Sequence, residues 1–170
     1  MSSFDPSTSS TFWRPIALPA FTGLLAVLGA TDGLVNLSSP ESGAATFGLV
    51  PPRRASVMPA QFDAFHHALV KVKGARNLHM SSCVIAMLLY GRFSDACRAS
   101  PEAAAAVRRC VGILLTLGAG VGFSGAVVIS EYLSSPGVSN EAIEVGRSKT
   151  KAHLLTSVPI VALGLVYLIY

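Results

Sequence analysis

Four apolar stretches dominate the chain, at residues 15–37, 74–93, 108–132 and 150–170. Helical residues rise about 1.5 Å each, so some twenty of them cross a hydrocarbon core of about 30 Å. Each stretch meets that length, and none shows the strict alternation that a membrane strand needs. The pattern therefore predicts an all-α, four-helix transmembrane bundle. Ahead of the second stretch, Phe62, Phe65, Leu69 and Val72 recur at three- and four-residue spacing. That spacing predicts a short interfacial amphipathic helix, opened by Pro59, leading into the second span. Pro15 and Pro19 fall in the first turns of the first span, where a missing amide donor is tolerated. Ser100 and Pro101 supply an N-cap and a first-turn proline ahead of the third.

The connecting segments complete the division. Residues 1–12 are rich in Ser and Thr and read as a disordered N-terminal segment, so that 13–170 forms one membrane domain. Trp13 and Arg14 form an interfacial anchor. A signal peptide is the alternative for the first stretch, but it has no basic region beyond Arg14 and no small-residue cleavage site. Pro40, Gly43, Pro51 and Pro52 predict a loop over 38–58, and a second long loop is predicted over 133–150.

Composition agrees with a membrane domain. Only 13% of the 170 residues are charged and 51% are hydrophobic, against about 25% charged in soluble domains. The net charge of +4 does not point to nucleic acid, because its cations flank the apolar runs at headgroup level. Lys71, Lys73, Arg76, Arg147, Lys149 and Lys151 share one side, which places the first and third loops in the cytoplasm, with the endoplasmic reticulum as the expected membrane. Cys83, Cys97 and Cys110 are odd in number and show no CxxC spacing, against both structural zinc and a disulfide framework.

Candidate chemistry follows from helix direction. Successive spans alternate, so the end of one and the start of the next share a membrane face. Asp32, Arg76, Glu131 and His153 all fall towards that face. Ionisable groups near lipid are costly and usually face a partner, a cavity or water. Asp32 and Asn36 are four residues apart and share a helix face; Arg76 and Asn77 enter at the same level on the next helix. Arginine offers a fork for a carboxylate, so Arg76 is expected to pair with Asp32 or Glu131. Asp32 and Glu131 are then candidate acid and base with Arg76 as orienting cation, and Asn36, Asn77, Tyr132 and His153 are candidate hydrogen-bonding groups for a substrate. The bland alternative is that polar residues near helix ends snorkel, or that an Asp32–Arg76 pair only fixes helix register. His66 and His67 are adjacent and point to different sides of a helix, so they cannot chelate one ion. No phosphate loop, haem-attachment motif, nucleophile elbow or HExxH is present, so neither a metal nor a cofactor is expected. Gly29 with Gly33, and Gly118 with Gly122 and Ala126, would let helices approach closely within the chain or between copies in a homo-oligomer.

The segment Lys73-Gly74-Ala75-Arg76-Asn77-Leu78 resembles the Gly-x-Arg-Asp/Asn opening of a small four-helix membrane family of unknown function. That family sits near the DoxX-like group and has bacterial and filamentous-fungal members. Ala152-His153-Leu154-Leu155 is similar to its closing helix, and Glu131 stands where its usual aspartate ends the third span. The resemblance implies a four-helix membrane fold and, because fungal relatives are often encoded beside natural-product pathways, a role with a lipophilic metabolite. The combined expectation is a cofactor-free membrane enzyme performing acid–base isomerisation, cyclisation or epoxide rearrangement on a lipophilic small molecule. The alternative is a non-catalytic membrane scaffold or a ligand-binding subunit.

Overall fold

The computed structural model describes residues 16–49, 60–136 and 138–169, with backbone alone for 60–65. The N-terminal segment 1–12, the Trp13–Arg14 anchor and the Phe62 and Phe65 part of the amphipathic face lie outside what is described. Every element is helical: α1 Leu18–Ser38, α2 Pro40–Phe47, α3 Ala60–Phe93, α4 Asp95–Ala99, α5 Pro101–Leu133 and α6 Asn140–Ile169.

Three of these helices, α1, α5 and α6, are long and apolar enough to cross a membrane, and they mark the chain as a membrane protein. Large apolar side chains face outwards along them, among them Leu24 and Leu28 of α1, Leu117 of α5 and Leu155 of α6. Thr22, Asn36, Ser81 and Ser157 turn inwards and are buried. That inversion is what a lipid environment favours, since an outward hydroxyl or amide would lack a partner there. Buried hydroxyls return to their own helix: Thr22 donates to the Leu18 carbonyl at 2.9 Å and Ser157 to that of His153 at 2.7 Å.

The long helices associate as two antiparallel pairs, α1 with α3 and α5 with α6, joined chiefly where α3 meets α5. In the first pair the backbones nearly touch. A Cβ added to Gly33 would lie 2.7 Å from the Leu78 nitrogen and 2.8 Å from the Gly74 carbonyl, so only glycine fits at this crossing. The small-residue spacings of the first and third spans are thus used within the chain, Gly122 likewise lying against Ser157 of α6. Leu18, Ala26, Val84, Val111, Leu115, Leu163 and Tyr167 form a core to which α1, α3, α5 and α6 all contribute.

Three sequence expectations are corrected here, and the count of spans is met in part. The 38–58 segment is not all loop, because Pro40–Phe47 is helical, with Pro40 and Glu41 in its first turn and Gly48 at φ 98° closing it. Gly48 takes a left-handed conformation that L side chains rarely adopt. The interfacial helix and second span are one continuous helix of 34 residues, so Arg76 lies within it rather than at its start. α3 is not among the helices apolar enough to count as a span, since Arg76, Asn77, His79, Ser81 and Ser82 dilute its middle. The last helix begins at Asn140, ten residues early, because Ser139 caps it through the Ala142 amide at 3.2 Å. Ser100 caps α5 as expected, accepting from the Ala103 amide at 3.2 Å.

Candidate functional site

The tight α1–α3 crossing determines what its neighbouring side chains can reach. Asp32 precedes Gly33 on α1, and Lys73 and Asn77 flank Gly74 on α3, so short polar groups meet across a minimal gap. Asn77 Nδ2 donates to Asp32 Oδ2 at 2.7 Å. Lys73 Nζ lies 3.7 Å from the same oxygen and donates to Asn36 Oδ1 at 3.1 Å. The Lys73 and Asp32 side chains are 17% and 33% exposed, so the pair is largely withdrawn from solvent. Asn36 is fully buried, and its amide also donates to the Asp32 carbonyl, tying the cluster to the α1 backbone. Arg76 donates from Nε and Nη2 to Asn77 Oδ1, at 3.3 and 3.2 Å. Asn77 thereby relays between the guanidinium and the carboxylate.

Two further elements close the site. α2 ends in Phe47, whose ring centroid lies 4.6 Å from Lys73 Nζ, a cation–π contact. The other side of Phe47 meets the His153 ring edge-on, with centroids 4.8 Å apart and planes at 61°. Asp32, Phe47, Lys73, Arg76, Asn77 and His153 line a cavity of about 300 Å³. Its remaining wall is greasy, with Leu25, Met80, Val84, Leu114, Leu115 and Ile160. A smaller cavity of about 260 Å³ beneath α2 shares Phe47, Lys73, Arg76 and Val121 with it.

Of the residues singled out by sequence, Asp32, Arg76, Asn77 and His153 line one chamber, and Asn36 braces it from behind. Among the described residues Arg76 forms no ion pair with a carboxylate; Lys73 stands beside Asp32 instead. Glu131 and Tyr132 do not line this chamber. Glu131 is exposed, and it lies nine residues beyond the lining residue Gly122, about 13 Å along the helix. His67 faces Glu41 at 3.7 Å, and His79 Nδ1 contacts the Ala75 carbonyl at 2.7 Å, so neither belongs to the chamber. Among the described residues no three His, Cys, Asp or Glu side chains form a metal-ligand set.

Lys73 and Phe47 are the functional candidates that sequence reasoning missed. Lys73 read as a headgroup anchor and Phe47 as part of a loop. A signal for the lysine was available: Lys73 and Asn77 repeat on α3 the four-residue polar spacing of Asp32 and Asn36 on α1.

A family model described as a domain of unknown function (DUF4267) matches residues 26–167. The chain belongs to the DUF4267 family. The matched range takes in every lining residue of the chamber except Leu25, from Ala26 through Asp32, Lys73 and His153. No curated protein and no solved structure gives a significant match to this DUF4267 member. What it does must therefore be argued from the chamber.

Proposed function

We propose that this chain is a cofactor-free membrane enzyme that performs acid–base chemistry, an isomerisation, cyclisation or epoxide rearrangement, on a lipophilic small molecule. The observation that carries this is a carboxylate, Asp32, held by Asn77 and Lys73 at the wall of a mainly apolar cavity that His153 also lines. A low-dielectric pocket with a fixed base and a fixed cation is what proton abstraction beside a carbonyl or epoxide oxygen requires. Asp32 would take the proton from substrate carbon and return it to another position. Lys73 and Arg76 would hold the oxygen on which charge develops, two cations standing against one carboxylate. His153 would supply a hydrogen bond or a proton to the leaving or migrating oxygen. The apolar wall would select a hydrocarbon-rich substrate, in keeping with the lipophilic metabolite that the family resemblance implies.

The same proposal has α3 as a fourth crossing, through residues 74–93, whose charged side chains, Arg76 and Arg92, lie near its two ends. The chamber then opens on the cytoplasmic side, where Lys71, Lys149 and Lys151 cluster. A second reading, a ligand-binding or scaffolding subunit without chemistry, is favoured by Asn36, whose amide is used wholly inside the protein.

The deciding experiment is comparison of lipophilic metabolites among cells lacking the gene, cells restored with the wild-type chain and cells restored with Asp32→Asn. A precursor that accumulates in the deletion and again with D32N, at wild-type levels of inserted protein, supports the enzyme. Full restoration by D32N removes it and leaves the scaffold.

A further inference from the structure

Of the chain's four lysines, Lys71, Lys73, Lys149 and Lys151, only Lys73 lines the Asp32 chamber. Lys71 and Lys151 are exposed, whereas the Lys73 side chain is largely withdrawn from solvent. Asp32 Oδ2 lies 3.7 Å from its Nζ, Asn36 Oδ1 accepts at 3.1 Å, and the Phe47 ring stands 4.6 Å off. Arg76, three residues on, lines the same chamber. At the end of the bundle away from Asp32 the four long helices enclose a larger cavity, of about 740 Å³, between Gly23, Leu88, Val111 and Tyr167. Arg92 and Arg108 reach that cavity, but no lysine does.

An amine becomes a nucleophile where an apolar pocket or a second cation favours its uncharged form and a base within reach takes its proton. Lys73 meets each condition. The chamber wall is mainly hydrocarbon, Arg76 is the second cation, and Asp32 is the base. Asn77 orients that base, donating to the same Asp32 oxygen at 2.7 Å. Nucleophile, base and orienting group thus stand in series, the arrangement that covalent catalysis requires. The 3.7 Å gap is looser than a hydrogen bond, as such pairs often are before substrate closes on them.

We propose that Lys73 forms an imine with the carbonyl carbon of an unsaturated aldehyde or ketone of about ten carbons. This narrows the acid–base reading above, on which it rests, to double-bond migration or ring closure. The size follows from the chamber, whose 300 Å³ equals the share of about ten waters in the liquid. Lys73 passes a proton to Asp32, and its lone pair forms the C–N bond while the carbonyl π pair moves to oxygen beside Arg76. A second proton passes from nitrogen to that oxygen. Asp32 then protonates the hydroxyl, which leaves as water as the nitrogen lone pair closes the C=N bond. The carboxylate so restored takes a proton from the carbon next to the iminium, giving a neutral enamine, and returns it to a different carbon. One water hydrolyses the product iminium and frees Lys73.

The test uses 2-decanone as probe, with cyanoborohydride to reduce any imine to a stable secondary amine, on the full chain in detergent. Peptide mapping should find the adduct, the ketone less its oxygen, on Lys73 at least about tenfold over each other lysine, a modest demand on an amine held beside its carbonyl. Gly118→Leu should abolish it with Lys73 intact. A Cβ there would meet only Met80 Cε, at an ordinary 3.9 Å, so this variant fills the chamber without disturbing the backbone. Cells restored with Lys73→Arg, which keeps a cation beside Asp32 but forms no imine, should accumulate the same precursor as D32N cells. An even spread of adduct over the four lysines, an unchanged Lys73 adduct in G118L, or full restoration by K73R overturns the proposal. Should K73R fail to fold, the wild-type map and G118L decide. Absence of the adduct while D32N cells still accumulate precursor removes the imine alone and leaves acid–base catalysis standing.

Discussion

The two ends of the bundle are made by the same four helices, yet one gathers Asp32, Lys73, Asn77 and His153 and the other gathers hydrocarbon and two arginines. The difference begins in how closely α1 and α3 approach. At Gly33 and Gly74 the backbones are in contact, so short polar side chains reach across and satisfy one another. Three turns away, at Gly23, a leucine side chain stands between the helices and the gap widens into the larger cavity. Close crossing makes a fixed polar cluster affordable in an apolar bundle; wider spacing leaves room for a greasy ligand. The geometry of one helix pair thus sorts polar side chains to one end and an apolar cavity to the other.

That contrast can be broken at several points. Lys73→Met removes the cation shared by Asp32, Asn36 and Phe47 and should lower conversion of the accumulating precursor by about 10²–10³, the cost of losing one preorganised donor. Rates in membranes carrying equal amounts of protein check this. Leu115→Ala opens the core between the two cavities and should destabilise by about 2–5 kcal/mol, read as a lowered thermal midpoint in detergent. Gly74→Leu forces a side chain into the α1 backbone and should cost about 1–3 kcal/mol or more, whereas Gly23→Leu should leave the midpoint nearly unchanged. Equal effects of the two glycine substitutions would refute the wedge-shaped α1–α3 pair. Tyr167→Phe loses one buried hydrogen bond to Thr22 and should cost about 1 kcal/mol. The smallest effect is expected of Glu131→Gln: conversion within about twofold of wild type, since an exposed carboxylate away from the cavity has no transition-state contact to lose.

Much of this was legible in the chain. Long apolar runs announce membrane helices because each must satisfy its own backbone and turn hydrocarbon outwards. Alternating helix direction correctly brought Asp32, Arg76, Asn77 and His153 to one level. Level along the axis does not give azimuth, however, and that is why Glu131 joined the expected site while lying on an exposed face past the cavity. Pairing was equally hidden. Arg76 and Lys73 differ by less than one turn, and only the Gly33–Gly74 contact decides which cation meets Asp32. The Phe47 helix escaped notice because prolines and glycines crowd its segment. Ser39-Pro40-Glu41 at its start and Gly48 at its end nonetheless carry the usual helix signals. The early start of α6 was masked by the charged run after Ser139, although Gly146 there packs against Leu133.

The most direct measurement is single-turnover conversion of the accumulating precursor by purified wild-type and Asp32→Asn protein in the same detergent. Thermal midpoints and precursor binding should be matched first. The expected result is a drop in rate of at least about 10² for D32N, with binding retained, as general acid–base catalysis allows. A D32N protein that binds and converts the precursor within a few-fold of wild type would contradict a catalytic carboxylate at the heart of the polar chamber.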